Sequence, residues 1–252
     1  MNTKATSPLH FSRFEFKYIL SAQKRSSLEN ELNYFLQLDP FVRDKQDHKY
    51  TVRSLYFDDA SFTAFNDKVD GLHSRSKFRV RTYSRSIETN APVFLEIKGR
   101  HNNLVFKHRV LIDNTIINSN DASGSCLIAN MINTIPESIV SDQFKYDVYR
   151  KGISPVALID YARRPYVSKY DPTFRLTFDD SLTVQKTKAV FPNGNAPVAK
   201  MILAGYTVLE VKFQHHIPSW FHRLIQAYEL KRISISKICS GMEALGLAFD
   251  ES

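Results

Sequence analysis

Between Arg75 and Tyr83 the chain reads Arg-Ser-Lys-Phe-Arg-Val-Arg-Thr-Tyr, with Arg75, Lys77, Arg79, Arg81 and Tyr83 on one parity and Phe78 and Val80 on the other. In a β-strand successive side chains point to opposite faces, so this pattern puts four cations along one side of a sheet and the apolar residues along the other. A ladder of like charges repels itself. It is stable only if it faces water or encloses something strongly anionic.

The same alternation recurs along the chain. Phe14 to Tyr18 places Glu15 and Lys17, with Arg13 before them, opposite Phe14, Phe16 and Tyr18. Val93 to Arg100 sets Glu96, Lys98 and Arg100 against Leu95 and Ile97, and a turn at His101-Asn102-Asn103 leads into a strand carrying Lys107 and Arg109. Val156 to Tyr161 precedes Arg163 and Arg164. Phe174 to Asp179 then sets Arg175, Thr177 and Asp179 against three apolar residues, and Val208 to Phe213 places Glu210 and Lys212 on one face. Tyr50 to Phe57 is a further strand, and Asp58-Asp59 after it can cap a short helix bearing Phe62, Phe65 and Val69.

Apolar stripes at helical spacing alternate with these strands. Ser21 caps a helix predicted to run to about Leu38 on Leu28, Leu32, Phe35 and Leu36. After an Asn-, Ser- and Asp-rich stretch from Asn114 to Gly124, the segment Cys126 to Ile135 is predicted helical, burying Leu127, Ile128, Met131 and Ile132. Pro218 opens a helix with the stripe Trp220, Phe221, Leu224, Ile225 and Tyr228, and Ser234 to Lys237 leads into a last short one.

A single such strand is read most simply as a solvated sheet face. Six of them with Lys and Arg dominating one face, together with helices that need apolar cover, favour the inverse arrangement. The apolar faces then lie outward under the helices, and the charged faces close into a lumen. The expected fold is α+β: a closed antiparallel β-barrel tunnel of about eight strands, cationic inside, with helices packed on the outside. No Pro- or Gly-rich linker divides the chain, so residues 1–252 are read as one domain.

The charge balance agrees, with 34 Lys and Arg against 26 Asp and Glu for a net +8, and points to an anionic partner. Chained phosphates fit best: Arg forks and Lys ammonium groups bind successive phosphoryl oxygens, and interleaved carboxylates can hold a bridging divalent metal. Single-strand nucleic-acid binders place aromatics beside their cations. Here Phe14, Phe16, Phe78 and Phe174 lie opposite and only Tyr83 is read on the cation face, so nucleic acid is disfavoured. Two isolated cysteines, and the lack of an apolar leader or an 18-residue apolar run, predict a cytoplasmic protein with no membrane segment. His215-His216 lack metal-ligand spacing, and no nucleophile triad is seen.

Eight motifs in order resemble a known family: Phe14-Glu15-Phe16-Lys17-Tyr18, Ser54-Leu55-Tyr56-Phe57-Asp58, Lys77 to Tyr83, Leu95-Glu96-Ile97-Lys98, Tyr161 to Tyr166, Arg175 to Asp179, Leu209-Glu210-Val211-Lys212 and Ser236-Lys237. The chain resembles the VTC-type polyphosphate polymerase domain, within the triphosphate tunnel metalloenzyme (CYTH-like) superfamily. The resemblance implies transfer of the ATP γ-phosphate onto a polyphosphate chain, helped by Mn2+ or Mg2+. Related tunnels hydrolyse triphosphates or cyclise ATP, and a tunnel that binds polyphosphate or nucleotide without turnover is a third reading. By resemblance, Arg79, Arg81, Lys98, Arg163, Arg175 and Lys237 are the catalytic cations, and Lys17, Lys77, Lys107 and Lys212 bind further phosphates. Glu210 is implied as metal ligand, with Glu96 and Glu15 as further ligands or as salt-bridge partners that space the cations. Hydrolytic tunnels typically begin Glu-x-Glu-x-Lys. Arg13 stands in the first acidic place here, which looks more like the polymerase branch. Families of this kind often act beside membrane proteins.

Overall fold

The computed structural model describes residues 14–89, 91–102, 104–117, 125–194 and 196–249. Arg13, Asn103 and the stretch 118–124 of the polar insertion lie outside the described residues.

Ten strands form one antiparallel sheet among the described residues: β1 (Phe14–Ser21), β2 (Leu36–Leu38), β3 (Tyr50–Asp58), β4 (Ser74–Thr82), β5 (Val93–His101), β6 (Leu104–Ile112), β7 (Ser154–Ser168), β8 (Arg175–Gln185), β9 (Lys200–Met201) and β10 (Tyr206–Phe213). The main path runs β1-β10-β8-β7-β3-β4-β5-β6, with β2 on β7 and β9 on β8 as short additions. Among the described residues six α-helices accompany it: α1 (Ala22–Leu32), α2 (Thr63–Val69), α3 (Ser125–Thr134), α4 (Ile139–Lys151), α5 (Ser219–Ala227) and α6 (Lys237–Leu245).

The two apolar outer faces are covered as alternation requires. Leu20, Leu176, Phe178, Leu209 and Val211 pack under Leu28 and Leu32 of α1 and Phe221 and Leu224 of α5. Leu55, Phe78, Val80 and Leu95 pack under Leu127 and Met131 of α3 and Phe144 of α4. Each large side chain fully buried here contributes roughly 1.5–3 kcal/mol.

Four expectations are corrected. The sheet is not closed by hydrogen bonds, because β1 and β6 end the path without pairing to each other. Instead β1, at one end, is held by a side-chain ion pair to β5, the strand next to the other end: Glu15 lies 3.4 Å from Lys98. Nor do all helices lie outside. Ile238, Cys239 and Met242 of α6 pack against Val52, Ile159, Tyr161, Val184 and Val208, which register places on the same concave face as the charges, so α6 fills part of the lumen. Gly241 permits that approach, since a Cβ there would lie 2.7 Å from Ile159 Cδ1. The first helix ends at Leu32, not Leu38, with Asn33 as its C-cap, and Leu36 is buried instead from β2, paired to Ser168. Finally, the sequence pattern does not predict α4. Its N-terminus carries a reciprocal Ser138–Ser141 capping box, and it ends at Gly152 in the left-handed conformation.

Asp58 and Asp59 do cap α2. Asp58 accepts the amides of Ala64 and Phe65, and Asp59 those of Ser61 and Thr63. No helix among the described residues is long and apolar enough to cross a membrane.

Candidate active site

Strand pairing converts the alternation into two facing clusters. On β4, Lys77 lies opposite Lys98 and Arg79 opposite Glu96, while β6 sets Lys107 opposite Lys98. On the other side of β4, Tyr56 and Ser54 of β3 lie opposite Arg79 and Arg81. Arg79 donates from Nε to Glu96 at 2.8 Å and from Nη1 to the Tyr56 hydroxyl at 3.0 Å. Arg81 donates to Ser54 Oγ at 3.0 Å and to the Tyr161 hydroxyl at 3.4 Å. Lys107 reaches the second oxygen of Glu96 at 2.7 Å.

Burial by itself would raise the carboxyl of Glu96, but Arg79, Arg81 and Lys107 outweigh it and hold the group at about 2. Glu96 is therefore ionised and fully committed to three cations. Partial desolvation, opposed by Glu96, lowers Lys107 although its side chain stays 40% exposed. Arg79 is raised, because the charges of Tyr56 and Glu96 overcome its own desolvation.

The second cluster is built from β1, β7, β8, β10 and α6. Register places Lys17 opposite Glu210, Glu15 opposite Lys212, Thr177 opposite Glu210 and Arg163 opposite Asp179. Arg163 forks Asp179 with two bonds of 2.6 Å and reaches Glu210 at 3.0 Å. Lys237, the first residue of α6, closes the group at 2.7 Å from Asp179 and 2.6 Å from Glu210. Lys212 stands 3.6 Å from Glu210, and Lys17 stands 3.2 Å from Glu15.

All of these side chains are largely withdrawn from water, which sharpens their mutual effects. Burial opposes ionisation of Glu210, yet Lys237, Arg163 and Lys212 hold it well below the usual carboxylate range. Glu15 is likewise lowered against its burial, chiefly by Lys98. Burial drives Lys98 and Lys77 downward and brings Lys212 to about 8. Lys237 goes the other way, since Asp179 and Glu210 overcome its burial.

Every cation singled out from sequence lies on the concave face, but not equally deep. Arg175 is opposite Lys212 on that face and is exposed, so it forms the rim. Lys77 is half-buried, with the Ser236 hydroxyl 3.3 Å away, and Lys17 donates to the Ile235 carbonyl at 3.1 Å, so the segment before α6 is strapped to two walls. The three carboxylates do not converge. Glu15 and Glu210 are diagonal neighbours on β1 and β10, whereas Glu96 belongs to the arginine cluster across the lumen. Among the described residues no three His, Cys, Asp or Glu gather as a metal cage.

Sequence reading missed four lumenal partners: Asp179, Ser54, Tyr56 and Tyr161. Asp179 shares parity with Arg175 and Thr177, and that was the available signal. The expectation that only Tyr83 shares the cation face is corrected as well. Tyr56 and Tyr161 are there, held through their hydroxyls by Arg79 and Arg81.

On this face cations outnumber carboxylates, and they come from β1, β4, β5, β6, β7, β8, β10 and α6. Such a surface can bind a chain of phosphates and neutralise charge on transferring phosphoryl oxygens.

A family model, the VTC domain, matches residues 12–246. No curated protein matches the chain. Among solved structures, a candidate adenylate cyclase from Bacillus halodurans is similar, with a TM-score of 0.51 and 11% identity over 89% of this chain and 95% of that one. HpAC1 from Hippeastrum, a candidate adenylyl cyclase with a dominant triphosphatase activity, aligns with a TM-score of 0.48 and 14% identity over 94% of this chain and 98% of that one.

Proposed function

This chain belongs to the VTC domain family, and from that premise we propose that it is a polyphosphate polymerase, moving the γ-phosphate of ATP onto a polyphosphate chain within its cationic lumen and releasing ADP. The coarser statement, a tunnel-type protein acting on polyphosphate or triphosphate, follows from the family and the fold. What supports the finer one is Arg13 in the place where hydrolytic tunnels begin with an acidic residue, together with the two cation clusters, Arg79 with Arg81 and Arg163 with Lys237.

Phosphoryl transfer needs donor and acceptor held in line and the charge on the equatorial oxygens neutralised. Fixed side chains supply both here. Arg163 and Lys237 are immobilised by Asp179 and Glu210, so their remaining N–H groups are preorganised toward the lumen without reorganisation cost. Arg79 and Arg81 hold oxygens on the opposite wall. Lys17, Lys98, Lys107 and Lys212 extend the track, and Arg175 gathers anions at the rim. Depressed lysines become fully charged as phosphate enters, which strengthens the grip on the loaded chain.

Hard divalent ions are commonly held by one or two carboxylates plus substrate phosphates, and that arrangement fits Glu210 with its diagonal neighbour Glu15. Glu96, which has no second carboxylate as register neighbour and is bonded to Arg79 and Lys107, is assigned to orienting those cations. Mn2+ or Mg2+ bound there would polarise phosphoryl oxygens and offset their charge. ATP as donor suits a cytoplasmic site, and a membrane protein partner is part of this reading.

The test is to incubate the purified protein with ATP and Mn2+ and follow polymer and ADP together. Equal formation of ADP and polymeric phosphate, lost in Arg79→Ala and Glu210→Ala variants that keep a cooperative melt, is expected. Free phosphate from ATP or tripolyphosphate without polymer would replace the proposal with hydrolysis. A raised melting temperature with tripolyphosphate, but no turnover, would make the protein a sensor.

A further inference from the structure

Tyr56 sits deep in the arginine cluster, 5% exposed, and its hydroxyl accepts a hydrogen bond from Arg79 Nη1 at 3.0 Å. A guanidinium has no acceptor, so the phenol's own proton must go elsewhere. The structure gives it no acceptor among the described residues. Ser54 is placed similarly, its hydroxyl accepting from Arg81 Nε at 3.0 Å. A wall on which arginines donate to hydroxyls therefore presents hydroxyl protons as well as guanidinium ones.

We propose that Tyr56 is a phosphate-contacting residue of the lumen, donating its phenolic proton to a phosphoryl oxygen held by Arg79 and Arg81, so that polyanion loading is coupled to uptake of a proton. This rests on the reading of the lumen as a phosphate site. The groups that face the phenol are Lys77, Arg79 and Arg81 from β4, with Glu96 behind Arg79, Asp58 of its own strand, and Cys239 from α6 across a small shared cavity.

The surrounding cations favour loss of that proton. Burial would raise the phenol, but Arg79 and Arg81, with Lys77 behind them, bring it down to about 7. A phosphate chain among these cations reverses the balance, since its negative charge opposes a phenolate and its oxygens accept from a neutral phenol. One proton then moves from solvent to the Tyr56 oxygen for each chain bound, and no other bond changes. The sign follows: affinity is full below about 7 and falls as pH rises through that value, by about tenfold per pH unit for one linked proton.

The experiment uses the whole chain and inorganic tripolyphosphate as probe. Tyrosinate absorbance in the near ultraviolet is followed at pH 8 during titration, and affinity is measured from pH 6 to 9 for wild type, Tyr56→Phe and Tyr161→Phe. The expected result is a loss of tyrosinate signal on binding in wild type and Tyr161→Phe but not in Tyr56→Phe, with the fall in affinity near pH 7 abolished by Tyr56→Phe alone. Binding without any tyrosinate change, or an identical change in Tyr56→Phe, overturns the proposal while leaving the phosphate tunnel standing. Failure of wild type to bind tripolyphosphate at any pH overturns both readings at the level of the tunnel itself. Circular dichroism of each variant verifies that the fold is intact, and a collapsed Tyr56→Phe is replaced by Tyr56→Leu with the same criteria.

Discussion

Lys237 Nζ lies 2.6 Å from Oε1 of Glu210, tying the first turn of the last helix to the middle of β10. The ammonium also serves Asp179, so one side chain neutralises two buried carboxylates together with Arg163. Lys237→Met keeps most of the volume and removes the charge. Stripping one partner from a buried ion cluster costs about 3–5 kcal/mol, and urea denaturation should show a loss of that order. A loss below about 1 kcal/mol would mean that the cluster is hydrated and loosely held.

Arg175 separates binding from stability. It is exposed at the rim, on the same face as Lys212. Arg175→Ala should leave stability within about 0.5 kcal/mol and weaken tripolyphosphate binding by roughly threefold to tenfold at low salt. The difference should shrink as salt is raised, since exposed charges are screened. Calorimetric titration at two ionic strengths measures both effects.

Glu96 links the lumen to acid stability. Its carboxyl is held at about 2 against an ordinary value of 4.5, by Arg79, Arg81 and Lys107 acting against burial. A depressed folded-state value stabilises the fold fully above about 4.5, and that contribution disappears as pH falls toward about 2. Glu96→Gln should flatten the dependence of melting temperature on pH in that window. An unchanged slope would place the acid sensitivity on Glu15 or Glu210 instead.

Gly241 sets how closely α6 can approach the concave face. A Cβ there meets Ile159 Cδ1 at 2.7 Å and Val184 Cγ2 at 3.0 Å. Gly241→Val overpacks the contact and should cost about 1–3 kcal/mol. It should also reduce turnover more than Gly241→Ala does, because displacing α6 moves Lys237 from its two carboxylates.

The lumen's cations were legible because a strand has period two, and so Lys77, Arg79 and Arg81, or Glu210 and Lys212, could be put on one face from spacing alone. Pairing across the sheet was not. That Arg163 would fork Asp179, or that Lys237 would reach Glu210, depends on long-range register and on the docking of α6, neither of which leaves a local signal. The spacing overruns the first helix because Leu36 continues the 3.6-residue period of Leu28 and Leu32 although Asn33 ends the helix. The fourth leaves little periodic signal because its buried stripe, Val140 and Phe144, is diluted by exposed Ile139, Tyr146 and Tyr149. Tyr56 hid among apolar neighbours, since only the position of Arg79 gives its hydroxyl a meaning.

The unpaired ends of the sheet have one further consequence. A sealed barrel has its radius dictated by strand number and shear. Here β1 and β5 face each other through Glu15 and Lys98, so the bore is gauged by the length of an ion pair and not by a ladder of amides. Separating β1 from β5 therefore breaks one ion pair and no backbone hydrogen bond of the sheet.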